Sequence, residues 1–348
     1  MASLTSVAIT TRKAVRYTVY FIIFLIIARI SFGLLVTIVQ KVFPAPPPVP
    51  TVQFGKLPVL PFPTGSNIPP LTFTIQTPEG GLPVLATQAK VYYMPQAHSD
   101  LLALDNTKTI ATSLGFSSSP TQITPTIYRF GDQNSVSTLE MNIITKTFSI
   151  GFNLNSDESP LSQIPPSANA AAAIAKSFLQ SASMLPDDLT GPVTQEYLKV
   201  QNKQLVSAIS QSEANLIRIN LFRKDYDKLP SLSTSPDKAN VWFVISGAQN
   251  RGKQIIGVQY YYYPVDATQF ATYPLITADT AFKALQGGKG FIANLGNNNN
   301  GKIIIRRVYL AYYDSGIPMQ FYQPIIAFEG DNGFVAYVPA VTSNYYSQ

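Results

Sequence analysis

The sequence contains no cysteine and only one histidine, and these two shortages exclude whole classes of chemistry. Disulfide bonds, thiolate catalysis and cysteine-ligated metal sites all need a residue type that the chain does not have. A Ser-His-Asp triad or a histidine-ligated metal would have to use His98, which lies in a polar stretch with no nucleophile motif around it. The sequence therefore predicts no metal, no cofactor and no catalytic residue.

Charge is also scarce, since charged residues make up 13% of the chain. Five of the 25 basic residues lie before residue 42, where there is no acidic residue, and the remaining 20 are balanced by 19 acidic residues. A nucleic-acid interface needs a surplus of Lys and Arg on the folded part of a protein. The net charge of +6 therefore does not indicate nucleic-acid binding.

One long apolar run covers residues 17–39, and as a helix its 23 residues span about 35 Å, against a hydrocarbon core of about 30 Å. Arg12, Lys13 and Arg16 precede it, so the positive-inside rule places the N-terminus in the cytoplasm. We predict a single-pass cell-membrane protein in which residues 1–43 are the cytoplasmic N-terminus and transmembrane anchor, with the rest outside the cytoplasm. A cleaved signal peptide is the alternative, although its apolar core is usually shorter.

Arg29 lies near the middle of this apolar run. A charged residue at that depth costs about 2.5–3.5 kcal/mol to insert, which the surrounding Val, Ile, Leu and Phe residues outweigh. Pairing with an acidic group on a partner helix is the functional interpretation, and snorkelling within a long helix is the structural one. Arg29 is therefore a candidate contact with a protein partner inside the membrane.

Composition divides the remaining chain into three parts. Residues 44–70 contain ten prolines, which favours an extended stalk between the membrane and the folded region. Residues 71–163 and 164–348 each show a helix pattern followed by strand patterns, so we predict two α+β domains.

Helix signals open each unit of this pattern. Gly115 would end a helix over residues 105–114, Ser167 would cap a helix in the alanine-rich stretch, and Thr277 would cap a third. Strand patterns follow the helices, and the predicted segments are residues 89–94, 126–130, 137–142, 147–152, 217–221, 241–245, 255–263, 303–313, 322–328 and 334–338. The predicted fold class is α+β, with helices laid on antiparallel sheets.

Two polar motifs resemble active-site chemistry. Residues 247–253 match most of a phosphate-binding loop, but Gln254 stands where Ser or Thr would hold magnesium, and a strand follows instead of a helix. We predict no nucleotide site there. The carboxylate pairs Asp187-Asp188 and Asp225 with Asp227 are interpreted as solvated loop residues rather than an acid–base pair.

Aromatic residues cluster in the C-terminal half, where residues 260–263 are four consecutive tyrosines. In a strand, Tyr260 and Tyr262 face one way and the two tyrosines that alternate with them face the other. Together with Tyr309 and Tyr312, Tyr260 and Tyr262 form a candidate aromatic surface for binding a peptide or an envelope glycan. Ordinary cross-strand packing is the alternative.

The order of C-terminal segments carries a family resemblance, and these segments are residues 277–285, 308–313, 322–330 and 335–341. In this order they resemble the extracytoplasmic part of the bacterial YycH/YycI regulatory proteins and the wider PepSY-like modules. The resemblance implies one N-terminal transmembrane helix, repeated helix-on-sheet units and non-catalytic control of a membrane sensor kinase. The proline-rich stalk departs from that family pattern, and no active-site residues are implied.

Anchor, composition and resemblance together indicate a non-enzymatic regulatory or interaction protein of the bacterial cell envelope, acting through a protein partner. An extracytoplasmic module that binds a peptide or cell-wall glycan is the second hypothesis. An enzyme that uses Ser, Lys or carboxylates is the third.

Overall fold

The computed structural model describes residues 4–42, 48–64, 69–298 and 300–347, and the side chains of residues 4–10 and 38–42 lie outside that description. The chain divides into two compact units, Met1–Val49 and Pro50–Gln348.

The first unit is built on helix α1 (Leu4–Val42). Its segment Thr11–Thr37 is long and apolar enough to cross a membrane, and none of the described side chains there is buried. The predicted span at residues 17–39 lies within α1, which begins earlier because no proline or glycine interrupts the preceding residues. A signal sequence near an N-terminus can meet the same criterion of length and apolarity.

The second unit combines helices with three sheets. Its α-helices are α2 (Ala103–Ser113), α3 (Ala168–Ser181), α4 (Arg251–Gln254) and α5 (Ala278–Gln286). Its strands are β1 (Thr72–Ile75), β2 (Gln88–Tyr93), β3 (Thr121–Gln122), β4 (Ile127–Gly131), β5 (Ser137–Asn142), β6 (Phe148–Phe152), β7 (Val193–Gln201), β8 (Gln204–Ser207), β9 (Leu216–Leu221), β10 (Ser231–Ser233), β11 (Val241–Ile245), β12 (Ile255–Tyr260), β13 (Asp266–Pro274), β14 (Phe291–Asn294), β15 (Lys302–Asp314), β16 (Phe321–Tyr322), β17 (Pro324–Gly330) and β18 (Val335–Pro339). This architecture is the predicted α+β class with an N-terminal apolar helix.

The largest sheet has nine strands in the order β3-β4-β5-β6-β12-β11-β9-β7-β8, and every pairing is antiparallel. Helices α2 and α3 cover one of its faces through alanine, leucine and phenylalanine side chains. Phe178 of α3 contacts Phe243 of β11 edge to face, with ring centroids 5.9 Å apart. Alternation along β11 buries Val241, Phe243 and Ile245 on this face and turns Trp242 to the other.

Two smaller sheets form the other half of the unit. The six-stranded sheet has the order β1-β15-β17-β18-β14, with β10 also pairing with β15, and β13-β2-β16 forms the three-stranded sheet. β1 and β10 run parallel to β15, whereas the other pairings are antiparallel. Helix α5 packs its Ala281 and Leu285 against the six-stranded sheet.

Local signals placed several element ends correctly. Ser167 is the residue before α3, and Thr277 caps α5 by accepting a hydrogen bond from the Thr280 N–H at 3.2 Å. At the turn between β17 and β18, Asn332 and Gly333 adopt positive φ angles of 58° and 82°. Asn and Gly are the residue types that tolerate that conformation best.

The division into domains at residues 71–163 and 164–348 differs from the structure. β6 pairs with β12, and β2 pairs with β13, so strands on both sides of residue 163 share sheets. Residues 50–348 form one compact unit. The physical reason is that strand pairing joins segments far apart in sequence, which local periodicity does not reveal.

The prediction of a free stalk at residues 44–70 is wrong for the part that the structure describes. Residues 43–47 and 65–68 lie outside that description. Leu57 is fully buried; its N–H donates to the Tyr345 carbonyl at 2.7 Å, and its carbonyl accepts from the Ser347 N–H at 2.8 Å. Leu60 is buried as well. Apolar residues between the prolines thus bind this segment to the folded unit instead of leaving it as a free spacer.

Candidate binding cleft

The predicted aromatic surface is not formed, because two of its four tyrosines are buried. Tyr260 is 4% exposed and donates from its hydroxyl to the Met184 carbonyl at 2.9 Å. Tyr312 is fully buried and donates to the Lys90 carbonyl at 2.8 Å. A tyrosine can lie in a core when its hydroxyl is hydrogen-bonded. The sequence prediction failed because it did not anticipate these hydrogen bonds.

The other two tyrosines of that prediction are half-buried and lie in different cores. The Tyr262 ring faces the Arg223 guanidinium at 4.3 Å, next to the nine-stranded sheet. Tyr309 lies on the six-stranded sheet and donates to Glu329 Oε1 at 2.5 Å. These four residues therefore do not converge on one ligand surface.

Arg29 has an exposed side chain within Thr11–Thr37 of α1. Its position near the middle of that segment agrees with the sequence reading. Contact with a partner helix stays a prediction, since a single chain is described.

The polar residues and motifs that the sequence suggested as sites differ in exposure and packing. His98 is exposed in a loop, as expected. At Gly247 a Cβ atom would lie 2.2 Å from the Ile164 carbonyl oxygen, so the phosphate-loop look-alike is packed against backbone at this glycine. Asp188, by contrast, is buried, and its interpretation as a solvated loop residue is wrong.

Asp188 belongs to a buried group that we call the arginine cluster, formed by Arg223, Asp188, Asp314 and Tyr226. Arg223 donates to Asp188 Oδ2 at 2.5 Å and to Asp314 Oδ2 at 3.1 Å, with its own side chain 1% exposed. Tyr226 donates from its hydroxyl to the same Asp188 oxygen at 2.7 Å. Because Arg223 follows β9 and Asp314 ends β15, the cluster joins the nine-stranded and six-stranded sheets.

Charge compensation explains how this cluster tolerates burial. Burial alone would lower the pKa of Arg223, but the carboxylates of Asp314 and Asp188 raise it well above its ordinary value. Burial raises the pKa of Tyr226, and the negative charge of Asp188 raises it further. The cluster is therefore a structural ion network whose members come from separate parts of the chain.

An open cleft of about 620 Å³ lies on the face of the nine-stranded sheet opposite α2 and α3. We call it the tryptophan cleft, and the lining residues that define it are Phe62, Lys238, Asn240, Trp242, Gln259 and Tyr261. Tyr261 is 39% exposed, in contrast to its neighbour Tyr260. β12 ends at Tyr260, so the strand predicted over residues 255–263 is shorter than expected, and the exposed member of the four tyrosines is Tyr261.

Neighbouring strands hold Trp242 in place within this cleft. A Cβ atom on Gly257 of β12 would be 3.6 Å from Trp242 Cζ3, so the ring lies beside a residue without a side chain. On another side, the Arg218 guanidinium lies 5.6 Å from the ring centroid and donates to Glu196 Oε2 at 2.6 Å. This arrangement gives a fixed aromatic floor.

Amide groups supply the polar contacts of the tryptophan cleft. The Asn240 amide donates to the Asp314 carbonyl at 2.8 Å, which connects the cleft to the arginine cluster. Gln259 lies directly across from Trp242 in the β11–β12 pairing. An aromatic floor beside amides, with Lys238 also in the lining, is suited to a ligand that offers a flat apolar face and hydrogen-bonding groups.

No protein-family model matches the sequence, and no curated protein matches it. In structure the chain is similar to an uncharacterized protein from Eubacterium rectale ATCC 33656, with a TM-score of 0.40 and 11% identity, covering 74% of this chain and 84% of that one. It is also similar to YycH from Bacillus subtilis, with a TM-score of 0.32 and 11% identity, covering 76% of this chain and 54% of that one. With TM-scores below 0.5, neither similarity assigns a family or a function.

Proposed function

We propose that this chain is a non-enzymatic, membrane-anchored regulatory or interaction protein whose folded unit lies outside the cytoplasm. The observation that carries the proposal is the segment Thr11–Thr37, which is long and apolar enough to cross a membrane and has no buried side chain among those described. Arg12, Lys13 and Arg16, which precede the apolar run at residues 17–39, support the orientation. Arg29, exposed within it, supports a partner helix that carries an acidic group.

Single-cysteine labelling tests the anchor and its orientation, because the native chain has no thiol background. Ser212→Cys places a thiol on an exposed residue of the folded unit, and Ser6→Cys places one before the apolar run. A membrane-impermeant maleimide should label the first in intact cells and the second only after lysis. The opposite pattern, or release of the folded unit from membranes by cleavage, contradicts the proposal.

The partner contact is tested by crosslinking in native membranes with wild type and Arg29→Leu. We expect Arg29→Leu to lose a captured partner that the matched helix variant Phe21→Leu retains, since only the former removes the charge. Identical capture by all three chains would show that Arg29 has no role in partner binding.

A second candidate function is glycan binding in the tryptophan cleft, favoured by the exposed Tyr261 beside Trp242. Trp242 is the chain's single tryptophan, so its fluorescence reports on this cleft alone. Titration with a β-1,4-linked N-acetylglucosamine tetramer should shift the emission in wild type and in Leu205→Ala, a control at an exposed apolar residue. The shift should weaken in Tyr261→Ala, and an unchanged emission in wild type dismisses this function.

A further inference from the structure

A second cleft, of about 440 Å³, lies beside the helix-covered core of the nine-stranded sheet. We call it the Ser137 pocket. The end of α2, the turn between β4 and β5, α3 and the connection from β11 to β12 all contribute to it. Its apolar wall consists of Leu114, Phe116, Ile150, Phe178 and Ile255. Volumes of about 300–1,000 Å³ with mainly apolar walls are typical of ligand sites.

Ser137 distinguishes this pocket from an ordinary surface crevice. Ser137 is 5% exposed, and its hydroxyl oxygen has no hydrogen-bond partner among the described residues. The hydroxyl of Ser135, two residues earlier, does have one, since it donates to Asp132 Oδ2 at 2.6 Å. Buried hydroxyls are normally paired, so an unpaired one that lines a pocket indicates a place for a ligand's polar atom.

The rim of the pocket carries both donors and acceptors. Asp132 and Arg251 contribute opposite charges, and Asn134 and Asn250 contribute amides. The two turns approach closely because Gly252 lacks a side chain: a Cβ atom there would lie 3.0 Å from Asp132 Oδ2. The rim therefore has no net formal charge and can both donate to and accept from a ligand.

We propose that the Ser137 pocket binds a bulky apolar side chain of a peptide, with the peptide's main-chain amides paired to the Ser137 hydroxyl and to the polar groups of the rim. An amide offers a donor and an acceptor together, as this rim does, whereas a fatty-acid carboxylate offers acceptors only. An isolated anion would also face Asp132. The site is distinct from the tryptophan cleft, with which it shares no lining residue.

A thiol at the buried position provides a direct test in the full-length chain, purified in detergent. Ser137→Cys is nearly isosteric, and the absence of native cysteine makes its labelling specific. Methyl methanethiosulfonate should modify it faster than Ser246→Cys, a fully buried control outside the pocket, and more slowly than the exposed Ser212→Cys. Labelling of Ser137→Cys at the rate of Ser246→Cys overturns the proposal, because the pocket would then be closed.

Protection by a defined probe tests the ligand class. With N-acetyl-phenylalaninamide at about four times its Kd, labelling of Ser137→Cys should slow about fivefold, since about a fifth of the sites stay free. N-acetylglycinamide, which lacks the apolar group, should protect far less, and Ser212→Cys should be unaffected.

Two outcomes contradict the proposed ligand. Failure of N-acetyl-phenylalaninamide to protect, or stronger protection by 3-phenylpropionate, would show that the pocket does not select an apolar amide. If Ser137→Cys does not fold, Asn134→Cys at the exposed rim replaces it, and the same probes must slow its reaction with a maleimide. An unprotected Asn134→Cys counts against the proposal in the same way.

Discussion

Two cores of the folded unit bury different kinds of aromatic residue. The phenylalanine core, under α2 and α3, is named for Phe116, Phe130, Phe148, Phe178 and Phe243. The tyrosine core, at the six-stranded sheet, is named for Tyr92, Tyr226, Tyr312, Tyr313, Tyr322 and Tyr337. The first is mainly apolar and contains one buried phenol, Tyr260, whereas each of the six phenols of the second brings a polar group into the interior.

Hydrogen bonds make the tyrosine core possible. Tyr312 donates to the Lys90 carbonyl, Tyr337 donates to the Ser233 carbonyl at 3.1 Å, and Tyr226 donates to Asp188. Each bond fixes the position of a ring as well as satisfying a hydroxyl. The comparison teaches that tyrosine-rich strands can mark a polar interior rather than a binding surface.

High pH should destabilise the tyrosine core more than the phenylalanine core, and this is the largest difference that we expect between them. Burial raises the pKa values of Tyr226, Tyr312, Tyr322 and Tyr337 above the ordinary tyrosine value. Their contribution to stability is therefore complete below about pH 10 and is lost as pH rises, at about 1.4 kcal/mol per tyrosine per pH unit. Phenolate absorbance and circular dichroism should change together above about pH 10. Ionisation of these tyrosines in a chain that stays folded would contradict this polar-core account.

Removal of the cation that joins the sheets should have the next largest effect. Arg223→Met leaves Asp188 and Asp314 buried without their partner, which should lower the free energy of unfolding by about 3–5 kcal/mol. Urea denaturation measures the loss. Adding Asp188→Asn to Arg223→Met should restore part of it, and an equal loss in the double variant would show that charge is not the cause.

Hydroxyl deletion within the tyrosine core should distinguish satisfied from unsatisfied phenols. Tyr312→Phe removes a hydrogen bond and leaves the Lys90 carbonyl unpaired, so we expect a loss of about 1–3 kcal/mol. The Tyr322 hydroxyl has no hydrogen-bond partner in the described part of the chain, so Tyr322→Phe should be neutral or stabilising. Thermal unfolding of both variants checks the difference, and equal losses would count against it.

Surface ion pairs should show the smallest effect and no difference between the two regions. Arg129 pairs with Glu140 on the nine-stranded sheet, and Arg307 pairs with Glu329 on the six-stranded sheet. Arg129→Gln and Arg307→Gln should each lower the free energy of unfolding by about 0–1 kcal/mol, because both pairs are solvated. A loss comparable to that of Arg223→Met in either variant would show that the regions differ at their surfaces too.

Elements with strong local signals were predictable from the sequence. β11 coincides with the predicted residues 241–245, β15 extends the predicted residues 303–313 by one residue at each end, and Ser167 and Thr277 precede their helices as predicted. Periodicity and capping chemistry act within a few residues, so sequence reasoning can detect them.

Features that depend on long-range contacts were not predictable in the same way. Asp188 and Arg223 are 35 residues apart, and nothing local indicates that both are buried together. Leu57 looked like part of a stalk because its partners, residues 345–347, lie at the far end of the chain. The tyrosine surface failed for the same reason, since the hydroxyl acceptors of Tyr260 and Tyr312 are distant backbone carbonyls.

Attachment of the entering segment at Leu57 has a mechanical consequence. Tension arriving at residue 50 would load two sets of backbone hydrogen bonds close together, from Val52 to Thr272 and from Leu57 to Tyr345 and Ser347. The C-terminal residues Tyr345 and Ser347 therefore hold the segment around Leu57 on the folded unit. Loss of these hydrogen bonds would release residues 50–57 from the folded unit.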